Sequence, residues 1–229
     1  PFEFSDSVDN TDFSIKAGIQ WDTADNWMTY FTYSQGYKGP AYNLFLNFRE
    51  AVSAPISEET ADAFEIGFKS SLFNDSVILS GAAYYALYDN FQANNFIIFD
   101  GALITNLTNA GQVETQGFEL DFIAQPTEAL SLSGGLAYTD ATVDEFFLVT
   151  LPGEQPTQAQ LDQKAANEGT TLAFAPEWAL NLSGDYTFDL DGAYDVIVSA
   201  QYNFQTEMFT DIFQQPDSVR QVGSHGILN

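Results

Sequence analysis

Five charged residues stand where alternating strands would turn them to one side: Lys16, Glu65, Lys69, Glu119 and Asp121. Glu119 and Asp121, two residues apart, would share a strand face as a pair of carboxylates, an arrangement that serves general acid–base chemistry. Nothing accompanies them to make a catalytic set. The chain has no Cys and one His, His225, which leaves thiol nucleophiles, Cys- or His-rich metal centres and Ser-His-Asp catalysis without support. Asp189-Leu190-Asp191-Gly192, with Asp195 beyond, has the start of a calcium loop but lacks its closing Glu. The plainer readings are a polar strand face and a hairpin turn. The sequence therefore predicts no enzyme, no catalytic residue, no metal site and no cofactor. A second group, Tyr37, Tyr42, Phe48 and Arg49, falls in and beside the stretch 39–54. Aromatic rings offer large rigid contact area, and a guanidinium offers a fork for carboxylate or catecholate oxygens, so these four are the candidate ligand contacts. A loop packed on itself is the alternative. Phe146, Phe147 and Leu148 in a later connection are further candidates of the same kind.

The elements that must position these residues read as strands. The chain has 229 residues, 21 Phe, 11 Tyr and 3 Trp, and its hydrophobic stretches alternate with period two. Phe13, Ile15, Ala17, Ile19 and Trp21 alternate with Ser14, Lys16, Gly18 and Gln20. The same pattern recurs over 27–34, 63–73, 77–88, 111–124, 130–138, 178–188 and 194–204, with a weaker strand over 91–99. A short helix is expected over 157–167, which is rich in Gln, Ala and Leu. The turns near 22–26, 74–76, 125–129 and 189–192 are short. The connections near 39–60, 89–110, 141–175 and 205–218 are long. An antiparallel meander would put every short turn at one end and every long connection at the other. Strands of about 10–14 residues are long for a soluble sheet and suit a tilted transmembrane barrel.

No run of about 18 apolar residues is present, so no transmembrane helix is expected. The net charge is −26 with six Lys and Arg, too few cations to replace phosphate counterions, which excludes nucleic acid as a partner. Face alternation fits a barrel with lipid outside and a polar lumen, and equally a soluble sandwich with a dry core. Aromatics favour the barrel: Trp21, Trp27, Trp178 and the Phe188/Tyr194 pair are read as lying beside short turns, where an interfacial girdle belongs.

Four stretches resemble the barrel of TonB-dependent outer-membrane receptors. Tyr30-Phe31-Thr32-Tyr33-Ser34-Gln35-Gly36-Tyr37-Lys38-Gly39 is similar to that family's strand entering a surface loop. Glu58-Glu59 through Glu65-Ile66-Gly67-Phe68-Lys69 is similar to the next. Asn109-Ala110-Gly111 with Gly117-Phe118-Glu119-Leu120-Asp121, and Ala175-Pro176-Glu177-Trp178, complete the series in family order. The family's usual Lys-Pro-Gly-Gly is here Lys38-Gly39-Pro40-Ala41, and Pro55 stands earlier than the pattern has it.

The resemblance implies an all-β, antiparallel transmembrane barrel meander, with residues 1–229 as a partial barrel domain of about 9–10 strands of a probable 22. The plug domain and closing strands are expected to lie outside these residues. It implies outer-membrane active transport of a scarce nutrient, foremost a ferric siderophore, energised by TonB. Implied partners are the TonB complex acting through the plug, the iron–siderophore or another small nutrient, and outer-membrane lipid and lipopolysaccharide. Lys16, Glu65, Lys69, Glu119 and Asp121 would then face the lumen and plug. A passive porin or adhesin barrel and a soluble β-sandwich binding module are the alternatives.

Overall fold

The computed structural model describes residues 5–42, 55–99, 102–148, 155–190, 192, 194–210 and 221–229. Eight long strands and one short one form a single antiparallel sheet. They are β1 (Lys16–Ala24), β2 (Trp27–Lys38), β3 (Glu59–Leu72), β4 (Val77–Asp89), β7 (Gly111–Thr127), β8 (Leu130–Phe146), β9 (Trp178–Asp189), β10 (Asp195–Gln205) and β13 (His225–Leu228). Neighbours in the sheet follow chain order, and β1 and β13 are its two edges. Short turns join β1 to β2, β3 to β4, β7 to β8 and β9 to β10, so they share one end. The stretch 91–99 is not a wall strand. It is β5 (Gln92–Phe99), paired with β6 (Ala102–Asn109) in a separate hairpin within a long connection. The last connection holds a second small pair, β11 (Met208–Phe209) with β12 (Gln221–Val222).

The expected helix is α1 (Gln158–Asn167). It starts because Thr157 caps it: the Thr157 hydroxyl accepts from the Gln160 N–H while the Gln160 side chain accepts from the Thr157 N–H.

Register defines two faces. Residues directly opposite in an antiparallel ladder share a face. One row runs Gly18, Thr32, Glu65, Tyr84, Gly117 and Thr139; another runs Met28, Lys69, Ser80, Asp121, Gly135 and Asn181. Lys16 lies in a third row with Ser34, Ala63, Ala86 and Thr115, and Glu119 in a fourth with Tyr30 and Gly67. This face is mostly polar; Met28, Ile78, Ile123 and Ile197 are apolar exceptions near the short turns, and Val113 and Val143 at the other end. A hollow of about 740 Å³ opens against it. Its hydroxyls bond across strands, Tyr84 with Thr139 at 2.9 Å and Ser133 with Ser183 at 2.8 Å. Glycines here make room for rings: a Cβ on Gly67 would lie 2.5 Å from the Tyr30 hydroxyl and ring, so the Tyr30 ring covers its cross-strand neighbour.

The opposite face carries Ile19, Phe31, Phe64, Ile66, Phe68, Leu120, Leu136, Leu180 and Val198. It is apolar yet uncovered: Ile19, Ile66 and Val198 are 61%, 52% and 54% exposed. No second sheet packs on it among the described residues, which removes the sandwich arrangement. The apolar band ends sharply toward the long connections. There Asp62, Asp89, Glu114 and Asp140 occupy the same face. Neutral donors from the adjacent strand hold each: Tyr33 Oη (2.5 Å) and Gln35 on Asp62, Gln112 on Asp89, Tyr85 on Glu114, and Gln116 on Asp140. From Phe64 to Leu72 the band is about 20 Å tall at about 3.4 Å per residue and a tilt of about 40°.

Aromatic residues mark both edges of that band. Trp27 stacks on Phe68 (4.8 Å, 9°) and Tyr186 packs on Phe188 (4.6 Å) near the short turns. Trp178 is a correction to the sequence reading. It opens β9 after a long connection and pairs with Tyr138 at the far end of the sheet. There Phe118, Tyr138 and Trp178 form a cluster with centroids 4.9–5.8 Å apart. The error came from assigning girdle residues to one end only.

Candidate functional site

The long-connection end is where the described chain buries its hydrophobic side chains. Ala86, Ala110, Val113, Ala141, Val143 and Phe146 are all under 9% exposed. Phe146, a candidate ligand contact from sequence, is 4% exposed and belongs to this small core. The wall strands β7 and β8 extend past the apolar band and lose their lipid-type face, so their ends must be covered by the connections themselves.

Three connections meet over that core. The first, between β2 and β3, has a closed neck: Ile56 N–H donates to Ala41 O at 2.8 Å and Ala41 N–H returns to Ile56 O at 3.4 Å. Below the neck, Lys38 and Glu59 are the last cross-strand pair, with Nζ 3.7 Å from Oε2. The second connection is the β5–β6 hairpin. Its base pair, Gln92 opposite Asn109, grips that neck. Gln92 Nε2 donates to Gly39 O (2.9 Å) and Ser57 O (3.0 Å), and the Gln92 N–H donates to Glu59 Oε2 (2.6 Å). Asn109 Oδ1 accepts from Ser57 N–H (2.8 Å), and its Nδ2 donates to Ser57 O (2.9 Å) and Asn90 O (2.7 Å). Asn90 adopts φ +54°, a left-handed turn that Asn tolerates well. Gln92 is 6% exposed, and its Oε1 has no partner among the described residues.

The third connection holds α1. Residues 169–172 return along β8: Gly169 N–H donates to Val143 O (2.7 Å), Val143 N–H to Thr170 O (2.9 Å) and Leu172 N–H to Ala141 O (2.8 Å). Lys164 Nζ donates to Phe146 O (2.7 Å) and to Glu168 Oε1 (2.5 Å), which also accepts from Phe146 N–H (3.2 Å). Phe147 N–H donates to Ala110 O (2.8 Å), joining this connection to the hairpin base. The hydrogen bond from Lys164, then that from the Phe146 N–H, lowers the Glu168 pKa below its ordinary 4.5. A lowered carboxylate pKa contributes stability that is complete above 4.5 and is lost as pH falls through the lowered value. Protection factors over 155–172, taken after dividing out the intrinsic pH dependence of amide exchange, are therefore expected to fall on acidification through that window, and Glu168→Gln is expected to remove that fall.

The sequence-predicted residues divide by place. Lys16, Glu65 and Lys69 line the polar-face hollow, and Glu119 and Asp121 share that face. These five form no ion pair with one another among the described residues. Lys69 and Asp121 lie in one row with Ser80 between them. Tyr37 lies on the apolar face in the row of Thr60 and Asp89, level with the carboxylate belt. Tyr42 is half-buried beyond the end of β2. Partial desolvation of its hydroxyl, and then the adjacent Asp6 carboxylate, raise its pKa above 10.0. Phe48 and Arg49 lie outside the described residues. Among the described residues no group of three His, Cys, Asp or Glu could hold a metal ion. Gln92 was missed from sequence. Its partners were visible, because Gly39, Glu59 and Asn109 all stand in the motifs that carried the resemblance.

The sequence matches the family described as TonB dependent receptor-like, beta-barrel, over residues 2–229. The ferric yersiniabactin uptake receptor FyuA from Yersinia pestis superposes with a TM-score of 0.70 at 18% identity, over 93% of this chain and 28% of that one. The siderophore receptor PiuA from Acinetobacter baumannii gives 0.65 at 20% identity, again over 93% and 28%. The ferripyoverdine receptor of the outer membrane of Pseudomonas aeruginosa gives 0.60 at 14% identity, over 93% and 26%. This chain thus spans less than a third of those proteins' length, and at these identities the likeness is one of fold. With the two-faced antiparallel wall and the family match over nearly every residue, the chain belongs to the TonB-dependent receptor β-barrel family.

Proposed function

We propose that these residues form part of the wall and surface loops of an outer-membrane receptor that imports a scarce nutrient, foremost a ferric siderophore, with energy supplied through TonB. The observation that carries the reading is the opposition of faces in a family-matched wall. One face is apolar, uncovered and bounded by aromatic rows, as lipid contact requires; the other is polar and concave, as a lumen requires. In this reading Lys16, Glu65, Lys69, Glu119 and Asp121 face the lumen, where a plug offers partners for charges that do not pair with one another. Tyr37, Tyr42, Phe48 and Arg49 contact cargo at the surface. The partners are then the TonB complex, a small iron-bearing nutrient, and outer-membrane lipid and lipopolysaccharide. The role is transport and binding, with no catalytic step.

The test is uptake of radioiron, presented as a panel of ferric siderophores, by cells that lack their own siderophore receptors and carry the full-length protein. Uptake of at least one siderophore is expected, and it should disappear when TonB is deleted. Uptake that survives loss of TonB would make the barrel a passive pore. Once a cargo is found, Tyr42→Ala and Arg49→Ala are each expected to weaken its binding about tenfold, or about 1.4 kcal/mol, at unchanged receptor abundance.

A further inference from the structure

We propose that Gln92 and Asn109 form a clamp that fixes the neck of the β2–β3 connection, residues 39–42 and 55–59, to the base of the β5–β6 hairpin, and so act as positioning residues for the ligand contact Tyr42. The proposal rests on the receptor reading only for the word ligand; the clamp itself is geometric. The Gln92 amide has two N–H groups, and each is used on a different end of the same connection, Gly39 O on the way out and Ser57 O on the way back. Such a bridge fixes the separation of the two ends. Asn109, directly opposite in the hairpin ladder, holds both the N–H and the carbonyl of Ser57 and ties them to Asn90. The Gln92 N–H adds Glu59, which stands against Lys38.

The neck is thus gripped from one side by two amide side chains that belong to another connection. Tyr42 follows immediately after Ala41, the outgoing residue of the neck pair. Gln92 is only 6% exposed, which removes competing water from its donors and strengthens the bridge. Its Oε1 is idle, so the bridge depends on the donors alone. That asymmetry separates clamping from packing. Gln92→Met keeps length and bulk but has no donor. Gln92→Glu keeps shape and turns an acceptor toward two carbonyls.

The test uses the full-length receptor in detergent micelles and needs no ligand. These 229 residues contain no Cys, so once any Cys elsewhere in the full-length protein is replaced by Ser, nitroxide labels placed by Tyr42→Cys and Ala93→Cys report the distance between the two connections. A single narrow distance distribution is expected for the otherwise unaltered protein. Gln92→Met, Gln92→Glu and Asn109→Leu should each broaden it and speed hydrogen exchange of the Ile56 and Ser57 amides about tenfold, while β3 amides such as Phe68 keep their protection. Gln92→Glu should be at least as disruptive as Gln92→Met. Unchanged width and exchange in Gln92→Glu would overturn the clamp. Equal, global loss of protection in β3 would also overturn it, because the residues would then be serving the wall. A failure of the uptake assay with the distance still narrow would remove the transport reading and leave the clamp.

Discussion

Gly111→Ala is expected to be among the most damaging single-methyl additions in the wall. Gly111 adopts φ +130°, and an added Cβ would fall 1.8 Å from the Glu145 carbonyl oxygen. The cause is a bulge: Gln112 pairs with Glu145 but Val113 with Val143, so Asp144 is an extra residue in β8. Gly111 also hands the β5–β6 hairpin over to β7, through its carbonyl to Phe91 N–H at 2.8 Å. The conformation alone costs an alanine about 1–3 kcal/mol. The backbone overlap comes on top, because a carbonyl in a ladder cannot yield as a side-chain tip can. Gly169 is the control. It has φ +78° with nothing within 4 Å of an added Cβ, so Gly169→Asn should cost under about 1 kcal/mol. Urea unfolding of the full-length protein in lipid vesicles compares the two. A Gly111→Ala cost as small as that of Gly169→Asn would show that the bulge relaxes freely.

The second large effect is a charge on the apolar face. Leu120 stands in the row of Phe68, Gly81 and Leu136, midway up the band. Leu120→Arg is expected to cost about 2–4 kcal/mol in a bilayer, the range for Arg at the midplane of a barrel's lipid face. Glu119→Arg, one residue away on the polar face, should cost under about 1 kcal/mol, because that side chain stays in water. Leu120→Ala gives the share due to lost packing over Gly81. The comparison is read as folding free energy in vesicles and as abundance in the outer membrane. Equal costs at 119 and 120 would sink the assignment of lipid to one face and water to the other.

Much of the wall was legible because a period of two is a local property. Phe64, Ile66 and Phe68 declare one face and Glu65, Gly67 and Lys69 the other, whatever the neighbouring strands do. The short helix at 157–167 was legible from its local Gln, Ala and Leu content, and the structure adds the Thr157–Gln160 capping box that starts it. Trp178 was misplaced because its depth depends on which end of β9 it occupies, and that end is set by pairing with Tyr138 some forty residues earlier. Phe146 looked like a loop aromatic and is a core residue, because β8 runs on past the apolar band before it ends.

Residue types and spacing alone thus determined the strands, their faces, the alternation of short and long connections, the short helix and the absence of a recognisable catalytic set. Each follows from chemistry within a few residues. Only the tertiary structure decided that Gln92 reaches Gly39 and Ser57, that Gly111 sits at a bulge, and that the carboxylates of Asp62, Asp89, Glu114 and Asp140 end the apolar band together. These depend on register, and register brings together residues that are distant in sequence by satisfying backbone donors and acceptors across strands, which no local pattern encodes.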